Sequence, residues 1–140
     1  MNTQYHNLQK QIQRFVDYTQ QAIQSLKSKQ KKTDETILMG IADAIYQLEI
    51  ESDQIMRTHD EDMRLEMQLL QNFIHNPVYF SKGKETKKLS IFHAAKTFHD
   101  LHDLSEMKAI VTSCAGNTEA FKTLISDLKM ISNDVNEKLT

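Results

Sequence analysis

His93 and Lys96 stand three residues apart in the run Ser90-Ile91-Phe92-His93-Ala94-Ala95-Lys96-Thr97-Phe98-His99-Asp100. Three residues is close to one helical turn, so both side chains lie on the same side of a helix. An exposed imidazole nitrogen can accept a phosphoryl group, and an ammonium one turn away offsets the charge that arrives with it. On a helical wheel of about 100° per residue, Ile91, Phe92, Ala94, Ala95, Phe98 and Leu101 share one face. Ser90, His93, Lys96, Thr97, Asp100 and Asp103 share the opposite one, which places His93 in water. The same wheel puts His102 near the middle of the apolar face and His99 at its edge.

Inward histidines suggest a second chemistry. His59 falls on the periodic stripe of Leu48 and Ile55. Neutral imidazoles at His59, His99 and His102, meeting across a core, could bind zinc or iron. The Glu-x-x-His pairs of carboxylate-bridged di-iron bundles are missing, because none of the histidines has Asp or Glu three residues before it. The expectation is therefore no metal and no cofactor, with the inward histidines satisfied by carbonyls or water. Other catalytic signatures are absent: there is no glycine-rich phosphate loop, no Gly-x-Ser-x-Gly and no His-Glu-x-x-His. Cys114, beside Ile110 and Val111, reads as a small buried hydrophobe.

The pair His93 and Lys96, followed by Gly116-Asn117-Thr118-Glu119-Ala120-Phe121 and a final amphipathic segment, resembles the histidine-containing phosphotransfer domain. The likeness covers roughly the C-terminal third. It implies a helical bundle whose exposed histidine accepts a phosphoryl group from a receiver domain, with His93 as acceptor and Lys96 beside it. That family usually has a glycine after the lysine, and this chain has Thr97 there.

These residues must be positioned by helices. The chain has one proline, Pro77, and three glycines, Gly40, Gly83 and Gly116, so little interrupts a helix. Tyr5, Leu8, Ile12, Phe15, Thr19, Ala22 and Leu26 follow at steps of three and four. That is the heptad spacing of a coiled-coil seam, and it predicts a helix over 2–30 whose stripe packs in the bundle or in a homodimer. A long second helix is expected over 34–75, with Leu38, Ile41, Ile45, Leu48 and Ile55 as its stripe and Leu70, Phe73 and Ile74 further along. A break is expected near 58–60, where Thr58-His59-Asp60-Glu61 has the form of a capping box. Residues 76–86 read as a loop in which Val78-Tyr79-Phe80 caps the bundle or docks a partner, with Tyr79 and Phe80 as the candidate interaction residues. Strand-type alternation is not evident. Helices follow over 87–103, over 105–115 with Ser105 as N-cap, and over 118–139 with Thr118 as N-cap. The last carries the stripe Phe121, Leu124, Ile125, Leu128, Ile131, Val135 and Leu139. The expectation is an all-α, antiparallel bundle of four to six helices forming a single domain over 1–140.

Composition narrows function by exclusion. Seventeen basic residues against nineteen acidic ones give a formal charge of −2, with no general field for nucleic acid or an anionic membrane. The lysine clusters Lys27 to Lys32 and Lys82 to Lys88 lack the interleaved aromatics of a stacking platform. A single cysteine forms no intramolecular disulfide and fits a reducing, cytoplasmic compartment. No stretch approaches the roughly 20 apolar residues of a membrane span. The leading expectation is a non-enzymatic protein–protein interaction module, an adaptor, inhibitor, chaperone or regulatory subunit acting through helix surfaces. Phosphotransfer at His93 and a histidine metal site are the alternatives.

Overall fold

The computed structural model describes residues 2–27, 34–58, 61–115 and 118–139. The fold is an all-α helical bundle with one small two-stranded sheet. Helix α1 spans Asn2–Lys27, α2 Glu35–Arg57, α3 Arg64–His75, α4 Ile91–Leu101, α5 Ser105–Ala115 and α6 Thr118–Leu139. A 3-10 turn, Glu61–Met63, leads into α3. Strands β1, Pro77–Lys82, and β2, Glu85–Ser90, join α3 to α4.

The α1 seam is buried within one chain: Tyr5, Leu8, Ile12, Phe15, Thr19 and Ala22 are all at most 4% exposed. It packs chiefly on α2, whose Leu38, Ile41, Ile45, Leu48 and Ile55 are likewise buried. A homodimer would therefore have to use another surface. Helix α2 is the hub of the bundle, in contact with α1, α3, α4 and α5. Asp34 caps its start, its carboxylate accepting the Thr36 amide at 2.9 Å.

The periodicity of 34–75 is split, as the capping-box reading anticipates, but Thr58 acts in the opposite sense. It ends α2 as C-cap: its amide and its hydroxyl both donate to the Ile55 carbonyl, at 3.1 and 2.7 Å. His59 lies outside the described residues, as does the Gly116-Asn117 turn. The side chains of Leu26, Cys114, Thr118, Phe121, Leu124 and Leu139 lie outside them too.

The loop expected over 76–86 is instead a β-hairpin, and the helix expected from 87 begins at Ile91. The alternation exists but is short. Val78 and Phe80 turn toward the core, Phe80 with 3% exposure, while Tyr79 between them is 69% exposed. Val78 faces Leu89 across the ladder, and Tyr79 faces Lys88, whose ammonium lies 5.2 Å from the ring centre. Gly83 takes φ 65° at the first central position of the two-residue turn, a conformation that L side chains resist. Pro77, which lacks an amide hydrogen, starts the strand. The hairpin lies against α5, and the Ser90 hydroxyl then caps α4 by accepting the His93 amide at 3.0 Å.

Candidate functional site

Starting α4 at Ile91 places His93 in the first helical turn and not in the middle of a helix. Its side chain is 55% exposed. Its Nε2 points at the Glu106 carboxylate of α5, 3.6 Å away, too long for a hydrogen bond and close enough for an ion pair with an imidazolium. Glu106 Oε2 is buried and has no hydrogen-bond partner. Lys96 is engaged elsewhere. Its ammonium donates to Asp100 at 2.9 Å, one turn further on. That hydrogen bond raises the Lys96 pKa above its ordinary value, and the same bond, with one from His99, holds the Asp100 carboxyl below its ordinary value. The Thr97 hydroxyl donates to the His93 carbonyl at 3.0 Å. The structure thus sets His93 opposite Glu106 and pairs Lys96 with Asp100.

The inward reading of His99 and His102 is overturned. His102 is exposed and forms the C-cap of α4 in the left-handed region, φ 55°, its amide bonded to the Phe98 carbonyl at 2.7 Å. A helical wheel assumes that the helix continues, and α4 ends one residue earlier. His99 is half-exposed on the helix surface and stacks on Tyr46 of α2, ring centres 3.9 Å apart and planes within 8°. Among the described residues no three histidines, cysteines or carboxylates are grouped to hold a metal ion.

His75 belongs to none of the sequence patterns above. At the end of α3, its Nε2 lies 2.6 Å from Glu49 of α2, and its ring lies 5.0 Å from that of Phe92. Phe92 in turn stacks on Tyr46 at 6.3 Å. His75, Phe92, Tyr46 and His99 thereby form a continuous ring contact where α4 crosses α2. Nothing in the local spacing signals this, because it joins three separated segments.

The candidate interaction residues separate. Tyr79 is exposed and Phe80 is in the core, so Phe80 is a packing residue and Tyr79 alone stays on the surface. A larger apolar surface lies on α3 and α6. Leu65, Leu69 and Met130 are 64%, 42% and 53% exposed. Leu65 and Leu69 are four residues apart and share a helix face. Leu69 and Met130 stand at the rim of a cavity of about 440 Å³. None of the described helices is long and apolar enough to cross a membrane. Comparison with known proteins gives no match to a family model, to a curated protein or to a solved structure.

Proposed function

We propose that the protein works by binding another protein through its helix surfaces, as an adaptor, inhibitor, chaperone or regulatory subunit, without turning over a substrate. The observation that supports this is the apolar surface of Leu65, Leu69 and Met130. Helix α3 already spends Met67, Leu70 and Ile74 on the core, so Leu65 and Leu69 are a second apolar set that the fold itself leaves in water. Leu69 and Met130 beside a cleft, with Leu65 one turn away on the same helix face, suit a partner's apolar segment. The net charge of −2 supports a protein partner over nucleic acid, and the lone cysteine supports the cytoplasm.

The test uses the full chain as bait in an extract of its own cells, with bound proteins identified by mass spectrometry. Leu65→Glu, at a surface position, leaves the melting temperature nearly unchanged and should release the partner. Retention of every captured protein by Leu65→Glu and by Tyr79→Ala would overturn the reading. A homodimer through the same face would appear as self-association that Leu65→Glu abolishes.

The exposure of His93 supports a second reading, phosphotransfer. Against it, the Glu106 carboxylate stands where a phosphoryl group would bring more negative charge, and the Lys96 ammonium is already paired. Acid-labile, alkali-stable label from phosphoramidate, present on the wild type and lost in His93→Gln, would install this reading in place of the first.

A further inference from the structure

We infer that the outer edge of the β1–β2 hairpin is a docking strand for an acidic, extended segment of a partner protein. This rests on the proposal of a protein partner and adds that partner's chemistry, at a surface other than Leu65.

The two-residue turn at Gly83 makes Lys82 and Glu85 a hydrogen-bonded pair, and bonded and non-bonded pairs alternate from there along the antiparallel ladder. Thr86, facing Ser81, and Lys88, facing Tyr79, therefore take non-bonded positions. Their amides and carbonyls point away from β1. Helix α5 lies against β1, which leaves β2 as the outer strand. No described backbone group pairs with Thr86 or Lys88 across that edge, and Glu85, Thr86 and Lys88 are exposed. An unpaired strand edge is a template for another strand.

Charge decides which strand. Residues 77–90 carry Lys82, Lys84, Lys87 and Lys88 against Glu85 alone, +3 on a chain whose total is −2. Among the described residues no carboxylate pairs with Lys84, Lys87 or Lys88. Lysines on this edge repel a second copy of it, and the same lysines attract a strand that bears carboxylates. A nucleic acid would meet the charge, but its phosphates offer acceptors only and leave the outward carbonyls of Thr86 and Lys88 without donors. A peptide strand offers both. Side chains alternate along a strand, so carboxylates at every second residue of the incoming segment share one face, beside Lys88.

The probes are two capped octapeptides, one alternating valine with glutamate and one alternating valine with glutamine, titrated into the isotope-labelled full chain and followed by NMR. The glutamate peptide should give saturable shifts centred on the amides of Thr86 and Lys88 and slow their exchange with solvent. It should bind at least about tenfold more tightly than the glutamine peptide. Lys84→Gln with Lys88→Gln should erase most of that preference. Thr86→Pro removes an outward amide that the fold does not use, so it should weaken binding at least about fivefold with the melting temperature nearly unchanged. The same bond is tested from the other side by N-methylating each glutamate of the peptide, which should abolish binding to the unaltered chain. Equal affinity for the glutamate and glutamine peptides overturns the inference. So do equally tight binding of oligothymidylate, and shifts at Thr86 and Lys88 that grow with protein concentration before any peptide is added. Leu65→Glu should leave the peptide affinity unchanged. A captured partner released by Leu65→Glu, with no peptide binding at β2, would keep the partner proposal and discard this one.

Discussion

Two carboxylates, Glu66 and Glu106, each keep one oxygen out of water with no hydrogen-bond partner. Glu66 is 6% exposed, and its other oxygen accepts from the Lys138 ammonium at 2.7 Å, tying α3 to α6. The same ammonium donates to the Asp62 carbonyl. Lys138→Met keeps the aliphatic stem and strands a buried charge, so it should cost about 1–3 kcal/mol, less than a fully enclosed pair because Lys138 itself stays wet. The bond to Glu66 raises the Lys138 pKa above its ordinary 10.5. Its contribution is complete below that ordinary value and is lost as pH rises through the higher folded value. Melts across that alkaline range should show the wild type losing stability that Lys138→Met never had; parallel curves would remove the ion pair from the account. At His102 the strain has the opposite sign. A non-glycine residue at φ 55° costs about 1–2 kcal/mol, partly offset by the ring contact with Phe98 at 5.6 Å. His102→Gly should raise stability by about 0.5–1 kcal/mol in a urea titration; a lower midpoint would refute the strain. Thr19 was legible in sequence as the aliphatic hydroxyl on a seam that otherwise holds apolar residues and Tyr5, and only the fold shows that this hydroxyl is buried without a partner. Glu106 was not legible as the partner of His93, because the contact crosses the turn between α4 and α5.

Helices α1 and α2 approach closely at Gly40. A Cβ there would come within 2.6 Å of the Tyr18 ring, so the absence of a side chain makes room for the tyrosine. In an unhindered helix interior Gly→Ala gains about 1 kcal/mol. Here overpacking outweighs that gain, and Gly40→Ala should destabilise by about 1–3 kcal/mol. In a Tyr18→Ala background the same change should become stabilising, and a double-mutant cycle by urea unfolding measures the reversal. Additive effects would show that Tyr18 swings aside freely. Elements with a long apolar period were readable from sequence: α1, α2 and α6 each repeat their stripe over several turns, and tertiary packing uses that stripe. The hairpin was not. Its alternation covers only Val78-Tyr79-Phe80 in β1, and β2 is dominated by Thr86, Lys87 and Lys88, residues that read as solvated loop. The turn residue Gly83 between Lys82 and Glu85 was the available signal, and it was outweighed by Pro77 and the lysines. A helix that starts at 87 hides Ser90 as a cap and puts His93 mid-helix, whereas the hairpin brings the start to Ile91.

At the scale of the molecule, both terminal helices meet on one side, where the Gln9 carboxamide donates to the Ser132 carbonyl at 3.2 Å. The first and last segments of the chain thus close the same core, and the cavity lies between them because α6 forms one of its walls. The heptad seam of α1 left two arrangements open in sequence, an internal packing stripe or a dimer interface, since both bury the same residues at the same spacing. The fold distinguishes them by supplying α2 and α6 as partners within the chain. Phe15 is the sharpest probe of this. It is 1% exposed, sits edge to face on Phe73 at 5.6 Å, and borders the cavity. Phe15→Ala should cost about 3–5 kcal/mol, as for other buried aromatics. An internal seam makes this loss independent of protein concentration, whereas a dimer seam ties stability to mass action. Thermal melts of wild type and Phe15→Ala over a hundredfold dilution series should therefore keep a constant separation and constant midpoints. Midpoints that fall with dilution in the wild type and not in the mutant would move the seam from the interior to an interface between copies.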